Sequence, residues 1–275
     1  MREFAEAFLL VFAQLGVGGL LSLSIPPFRQ IERGFFKSTA AVYLGVSLLS
    51  VIGWGYLLLT RNIPAAEVPH RSIELAVWTS FAAVFAVYLY SLWGEPYRLR
   101  ARSYAAGLAL GVGALSFTAL RYGRAASLAG IVYPVDFLVS AVLLGAACTG
   151  MLLGHWYLID LGLTLTPFRQ IHRFFVGSIH LQVLVLGVSV CLLWLFAGPP
   201  VGASLETLWT EHTLLLTLRI ALGPLAAYVL GWMIGRTLAV PQTMAATGLF
   251  YIALLAVVVG EILGRTILFR TALPL

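Results

Sequence analysis

Three short stretches of the chain bring ionisable side chains within reach of one another. His70-Arg71-Ser72-Ile73-Glu74 sets an imidazole and a carboxylate four residues apart, which a helix places on one face. Trp209-Thr210-Glu211-His212 is followed two helical turns later by Arg219. Gly260-Glu261-Ile262-Leu263-Gly264-Arg265 repeats the four-residue spacing with opposite charges, which favours an ion pair along a helix. Arg219 and Glu261 come to similar depth and can pair across two helices, as a structural salt bridge or as part of a proton relay. Two further histidines, His155 in Gly154-His155-Trp156-Tyr157 and His180, face the opposite chemistry. Two imidazoles on different helices can clamp a b-type haem, or serve as interfacial or proton-relay groups beside His172 and Asp160. The nucleotide, zinc-hydrolase and serine-hydrolase signatures GxxxxGK[ST], GxGxxG after a strand, HExxH and GxSxG are missing.

The elements that must carry these groups follow from composition. Of 275 residues, 60% are hydrophobic and only 10% charged, with mean hydropathy +0.96. Soluble domains carry roughly a quarter charged residues, so a water-soluble fold is excluded. In lipid, only helices or a closed barrel satisfy the backbone. The apolar runs are long and do not alternate, which excludes the barrel. Cys148 and Cys191 both fall in apolar stretches and offer neither a disulfide framework nor a metal clip. The net charge of +6 comes from basic residues scattered in short segments, all but Lys37 being arginine. None is dense enough for a nucleic-acid footprint. Met1–Glu6 carries two acids and one Arg, unlike a cleavable leader.

A spanning helix needs about 20 mostly apolar residues, and eight such runs occur: Phe8–Ser24, Phe36–Leu59, Ile73–Trp93, Ser103–Leu120, Phe137–Leu158, Phe174–Phe196, Thr213–Ile234 and Thr243–Leu263. The expected protein is therefore an all-α integral membrane protein, with polar connectors and no extramembrane domain. Pro27-Phe28-Arg29-Gln30-Ile31-Glu32-Arg33 recurs as Pro167-Phe168-Arg169-Gln170-Ile171-His172-Arg173, six identities in seven at an offset of 140. Gly45-Val46-Ser47 returns as Gly187-Val188-Ser189. The chain thus reads as an internal duplication, with an even number of spans in each copy. That makes a parallel repeat: one four-helix bundle over residues 1–134 and a second over 135–275.

Orientation follows from the basic residues. Side A, after spans one, three, five and seven, holds nine of them, from Arg29, Arg33 and Lys37 to Arg236. Side B, with both termini, holds seven, and the acids sharpen the contrast with three on side A against eight on side B. Side A is expected to be cytoplasmic, in the cell's inner membrane, with both termini outward.

Three segments resemble the membrane anchor subunit of dimethyl sulfoxide reductase and, more loosely, the NrfD-like quinol-interacting subunits. Phe8-Leu9-Leu10-Val11-Phe12-Ala13-Gln14-Leu15-Gly16-Val17-Gly18-Gly19 is similar to that anchor's first helix, and Leu218-Arg219-Ile220-Ala221-Leu222 to its seventh. Val259-Gly260-Glu261-Ile262-Leu263-Gly264-Arg265-Thr266-Ile267-Leu268-Phe269 resembles its closing Gly-Glu-aliphatic-aliphatic-Gly-Arg segment. The resemblance implies a subunit that binds a quinol, menaquinol or ubiquinol, in the first bundle near the outer face. It implies an iron–sulfur electron-transfer subunit docked there, feeding a molybdenum-type catalytic subunit. His70, Arg71 and Glu74 supply the group types a quinol site needs, and Glu74 holds roughly the place of the family's acid at the start of span three. Where the family carries His-Leu-Gly at the end of span two, this chain reads Leu57-Leu58-Leu59-Thr60-Arg61, so His70 must substitute. Other readings stay open from the sequence: a purely structural anchor, a cytochrome b subunit ligated by His155 and His180, or a small-molecule transporter. Transport calls for polar groups near mid-membrane, and nearly all ionisable residues here lie within two turns of an interface.

Overall fold

The computed structural model describes residues 2–60, 63–94, 96–122, 128–160, 162–196 and 199–274. They form α1 (Arg2–Ser22), α2 (Arg33–Thr60), α3 (Val68–Ser91), α4 (Tyr97–Leu120), α5 (Ala129–Ile159), α6 (Thr166–Phe196), α7 (Pro199–Glu211), α8 (Thr213–Ile220), α9 (Ala226–Ala239) and α10 (Thr243–Thr271). A π-helical turn, Ala221–Leu225, joins α8 to α9, so that Thr213–Ala239 acts as one span. Eight helices are long and apolar enough to cross a membrane, and no strand occurs among the described residues. The protein is a multi-pass, all-α membrane protein. Its outward surface carries Ile52, Leu184, Trp232 and Leu255, all more than half exposed, as lipid-facing helices require.

The helices are longer than the apolar runs because connectors with polar residues continue the helical backbone. α5 starts at Ala129, ahead of the 134/135 division, and α10 runs on to Thr271. The connector after α6 is itself the helix α7, where the sequence suggested only polar linkage. Val201, Leu205 and Leu208 recur at helical spacing and pack on Ile267 and Leu273 at the end of α10.

α1 and α5 are the most enclosed helices and lie against each other at the centre. α2, α3 and α4 follow in contact order around α1, and α6, α9 and α10 around α5. The central crossing is made by glycine. A Cβ added at Gly18 would lie 1.6 Å from the Ala141 carbonyl oxygen, and one at Gly145 would lie 2.1 Å from the Gly18 carbonyl carbon. Small residues let backbones meet in lipid, where dispersion rather than water exclusion holds helices together. Gln14 crosses the same seam, its Nε2 donating to the Phe137 carbonyl at 3.0 Å.

The duplicated peptide takes two conformations. In the second copy Pro167 and Phe168 stand in the first turn of α6, and Phe168 is fully buried against the Tyr157 and Phe250 rings. In the first copy residues 27–32 form a turn before α2, and Phe28 packs on Phe36, 4.6 Å between centroids. Identical local sequence gives different backbones because the neighbouring helices differ, the usual way tertiary context overrides propensity.

Candidate functional site

The first polar centre forms where the start of α3, the end of α4 and the start of α1 meet. Glu74 is only 5% exposed on α3. Its Oε1 accepts from the Thr118 hydroxyl at 2.7 Å, and its Oε2 pairs with Arg121 Nη1 at 2.9 Å. Trp78 Nε1 donates to the same Thr118 oxygen at 3.1 Å, one turn deeper. Arg121 also bonds Tyr122 and lies 3.7 Å from Glu6, while Arg71 lies 3.7 Å from Glu6 and 3.8 Å from Glu67. Burial opposes the Arg121 charge, but the adjoining Tyr122 and Glu74 hold its pKa above the ordinary value. Burial likewise pushes the Tyr122 hydroxyl up, so it is present here as a neutral phenol.

Two adjoining clefts open on this centre. One, a narrow cleft with a cavity volume of about 20 Å³, is walled by Trp54, Leu57, Leu58 and Leu75 and floored by Glu6, Arg71 and Glu74. The other is lined by Glu67, His70, Arg71 and Arg121. The His70 ring stacks on Phe117, 4.5 Å between centroids and 16° between planes. His70 Nε2 and Arg71 Nε are both buried and have no hydrogen-bond partner. The structure therefore brings His70, Arg71 and Glu74 to one place and leaves donor capacity unspent beside an apolar wall.

The second polar centre lies between α5, α6, α8 and α10. Arg265 and Glu261 are 0% exposed, Asp136 1% and Arg219 2%. Arg265 Nη1 meets Asp136 Oδ2 at 2.8 Å, and its Nη2 reaches the Ser140 hydroxyl at 2.8 Å and Glu261 Oε2 at 3.3 Å. Arg219 Nη2 meets the other Glu261 oxygen at 3.0 Å, which also accepts from Gln182 Nε2. The Arg265 guanidinium lies over the Phe137 ring, 4.3 Å from its centroid. Two carboxylates and two guanidinium groups thus cancel. Gly260 permits the close approach of the π-helical turn, since a Cβ there would lie 2.5 Å from Gly223 Cα. Pro224 within that turn has no N–H to give, which suits it to a widened turn rather than a regular one.

No family model matches this chain, and no curated protein matches its sequence. The geometry alone therefore carries the comparison between the two halves. In both, an arginine near the end of the fourth span is held by an acid from the first span: Arg121 by Glu6, Arg265 by Asp136. In both, the third span pairs with the fourth: Glu74 with Arg121, Arg219 with Glu261. The charges on the third span are reversed between halves. The first centre opens into clefts beside its carboxylate, whereas the second encloses its carboxylates and meets an apolar cleft, lined by Val183, Leu216 and Pro224, through Arg219.

Sequence reasoning missed several partners. Arg121 and Asp136 stand at the ends of apolar runs and looked like topology signals. Gln182, a lone amide within span six, was a visible signal, because a polar side chain at that depth needs a partner. Glu6, Thr118 and Ser140 carried no signal. The remaining histidines sit apart from both centres. His155 is exposed beside Tyr251 of α10, with 3.5 Å between its Nδ1 and the phenol. His180 is exposed beside Tyr228 of α9, its Nδ1 on the Val176 carbonyl at 2.8 Å. No described contact joins the two. Among the described residues no group of three His, Cys, Asp or Glu is placed to hold a metal ion.

Proposed function

We propose that this protein is the quinone-interacting membrane anchor of a respiratory oxidoreductase, oxidising membrane quinol at the cleft beside Glu74. One observation carries the reading: the nearly buried Glu74 carboxylate borders an apolar cleft that Arg71 also lines, His70 lines the adjoining cleft, and His70 Nε2 and Arg71 Nε both lack partners. A menaquinol or ubiquinol bound there supplies two electrons and two protons on oxidation. Arg71 is of the right type to hydrogen-bond a ring oxygen, and Glu74 and the His70 imidazole each to accept one of the two protons. Trp54, Leu57, Leu58 and Leu75 give the apolar side along which an isoprenoid tail would leave toward lipid. Arg121 and Thr118 hold the Glu74 carboxylate in position as the proton moves. The electrons require an acceptor outside this chain, an iron–sulfur subunit covering the α3–α4 end, with a molybdenum-type catalytic subunit beyond it. The closing Gly260–Arg265 resemblance supports the same assignment, as does the imidazole and carboxylate spacing at His70 and Glu74. In this reading the protein lies in the cytoplasmic membrane with both termini outward.

The test is oxidation of a soluble naphthoquinol by the native complex. Glu74→Gln is nearly isosteric and keeps an oxygen for Thr118, so folding should hold. The quinol oxidation rate should fall about 100-fold, the lower end of what a positioned acid or base contributes. His70→Ala should raise the apparent KM more than it lowers the turnover. Glu74→Gln activity within twofold of wild type would rule out the assigned base.

A further inference from the structure

Another cleft opens at the opposite end of the first helix group, between the α1–α2 connector, the end of α3 and the start of α4. Its volume is about 300 Å³, and Pro27, Phe28, Tyr88, Tyr97, Arg100 and Tyr104 line it. The Arg100 guanidinium lies 4.8 Å from the Phe28 ring centroid. Among the described residues it makes one long hydrogen bond, from Nη2 to the Gly94 carbonyl at 3.4 Å, and its Nε is buried without a partner. No carboxylate pairs with it among the described residues. The surroundings are basic and aromatic. Arg29, Arg98 and Arg102 are exposed nearby, and Lys37 lies 5.0 Å from the Trp93 ring. Trp93 and Tyr97 are 60% and 68% exposed, the placement of side chains that sit at the membrane–water boundary.

The duplication provides an internal control. In the second half the same peptide is packed in: Phe168 is fully buried between Tyr157 and Phe250, with centroids 5.0 and 5.8 Å away. There Arg169 Nη2 is occupied by the Leu238 carbonyl at 3.2 Å and His172 Nε2 by the Gly231 carbonyl at 2.8 Å. The first half keeps the peptide, leaves the hollow open and puts an arginine into it.

We propose that this cleft binds a phosphate group, carried by the headgroup of an anionic membrane phospholipid. Arginine presents a planar fork of donors that matches phosphate oxygens. Tyr97 offers a hydroxyl at the mouth of the cleft, while Tyr104, two turns deeper, gives its own to the Leu21 carbonyl at 3.3 Å, and the exposed apolar flank of α4 runs from the cleft toward the acyl region. Basic pockets between spans at an interface are suited to such headgroups.

The experiment places the purified protein in phosphatidylcholine nanodiscs containing one part in ten phosphatidylglycerol and counts retained lipid by native mass spectrometry. Wild type should retain phosphatidylglycerol selectively. Arg100→Gln should lower that retention about tenfold, Arg100→Lys by less, and the exposed Arg102→Gln by under about twofold. Thermal unfolding of each variant in pure phosphatidylcholine confirms that it is folded. Equal losses for Arg100→Gln and Arg102→Gln would overturn the proposal in favour of diffuse attraction, and so would no preference in wild type. A final arm adds inorganic phosphate to pure phosphatidylcholine discs. Stabilisation there as large as that given by phosphatidylglycerol, and lost in Arg100→Gln, would overturn the lipid source and assign the site to free phosphate.

Discussion

Arg265→Met is expected to destabilise the protein by about 3–5 kcal/mol, the penalty for leaving buried charges without their partner. Arg265 is the shared cation of Asp136 and Glu261, and all three are at most 1% exposed. Removing it strands Asp136 altogether and leaves Glu261 to Arg219 alone. A large isosteric aliphatic chain fills the space, so the loss reports charge rather than a cavity. In a chain of this size such a change lowers the unfolding temperature by roughly 10 °C, readable by fluorescence-detected gel filtration after a heating series. The double variant Asp136→Leu/Arg265→Met should recover much of the loss, because it removes a compensated pair together. Arg219→Met should cost less than Arg265→Met, since Glu261 keeps Arg265 at 3.3 Å. Additive losses in the Asp136/Arg265 pair would show that their ion pair is not what the site depends on.

Gly18→Leu should be the second severe lesion. No rotamer of any side chain helps, because the obstruction is the Cβ itself, 1.6 Å from the Ala141 carbonyl oxygen. The α1 and α5 backbones must separate, which also pulls Gln14 from the Phe137 carbonyl. The expected cost is at or above the ~1–3 kcal/mol typical of overpacking, and Gly145→Ala should follow it. Gly113→Ala is the control: a Cβ there meets nothing within 4 Å, and alanine in a helix interior should gain ~0.5–1 kcal/mol. Thermal unfolding of the three variants side by side separates the crossing from a general sensitivity of glycines. Equal behaviour at Gly18 and Gly113 would contradict the backbone contact.

Much of this was written in the sequence, for identifiable reasons. The eight spans were legible because lipid demands about 20 apolar residues per crossing, a constraint that acts locally. Glu261 and Arg265 were legible from their four-residue spacing, and Arg219 joined them through matched depth. His70 and Glu74 shared a helical face for the same reason. Asp136 stayed hidden because its partner is 129 residues away, and depth alone does not select one partner among several arginines. Arg121 was hidden in the same way behind its distance of 47 residues from Glu74. The two forms of the duplicated peptide were not legible at all, since six of seven residues are identical and only Phe36, Arg100, Tyr157 and Phe250 distinguish their settings. The comparison also explains why two halves with the same pairing scheme differ in access. Glu261 has Arg219, Arg265 and Gln182 closed over it, whereas Glu74 has Arg121 and Thr118 and borders a cleft.

Photolabelling tests most directly whether quinol meets this protein beside Glu74. The native complex would be purified, its bound quinone extracted and identified, and the protein then irradiated with an azido-quinone and digested for mass spectrometry. Quinol binding beside Glu74 should give co-purified quinone and label on peptides covering residues 54–58, 70–75 or 117–122, competed by unlabelled quinol and lost in Glu74→Gln together with His70→Ala. No bound quinone, together with label spread over the lipid-facing surface and unaffected by those substitutions, would contradict it.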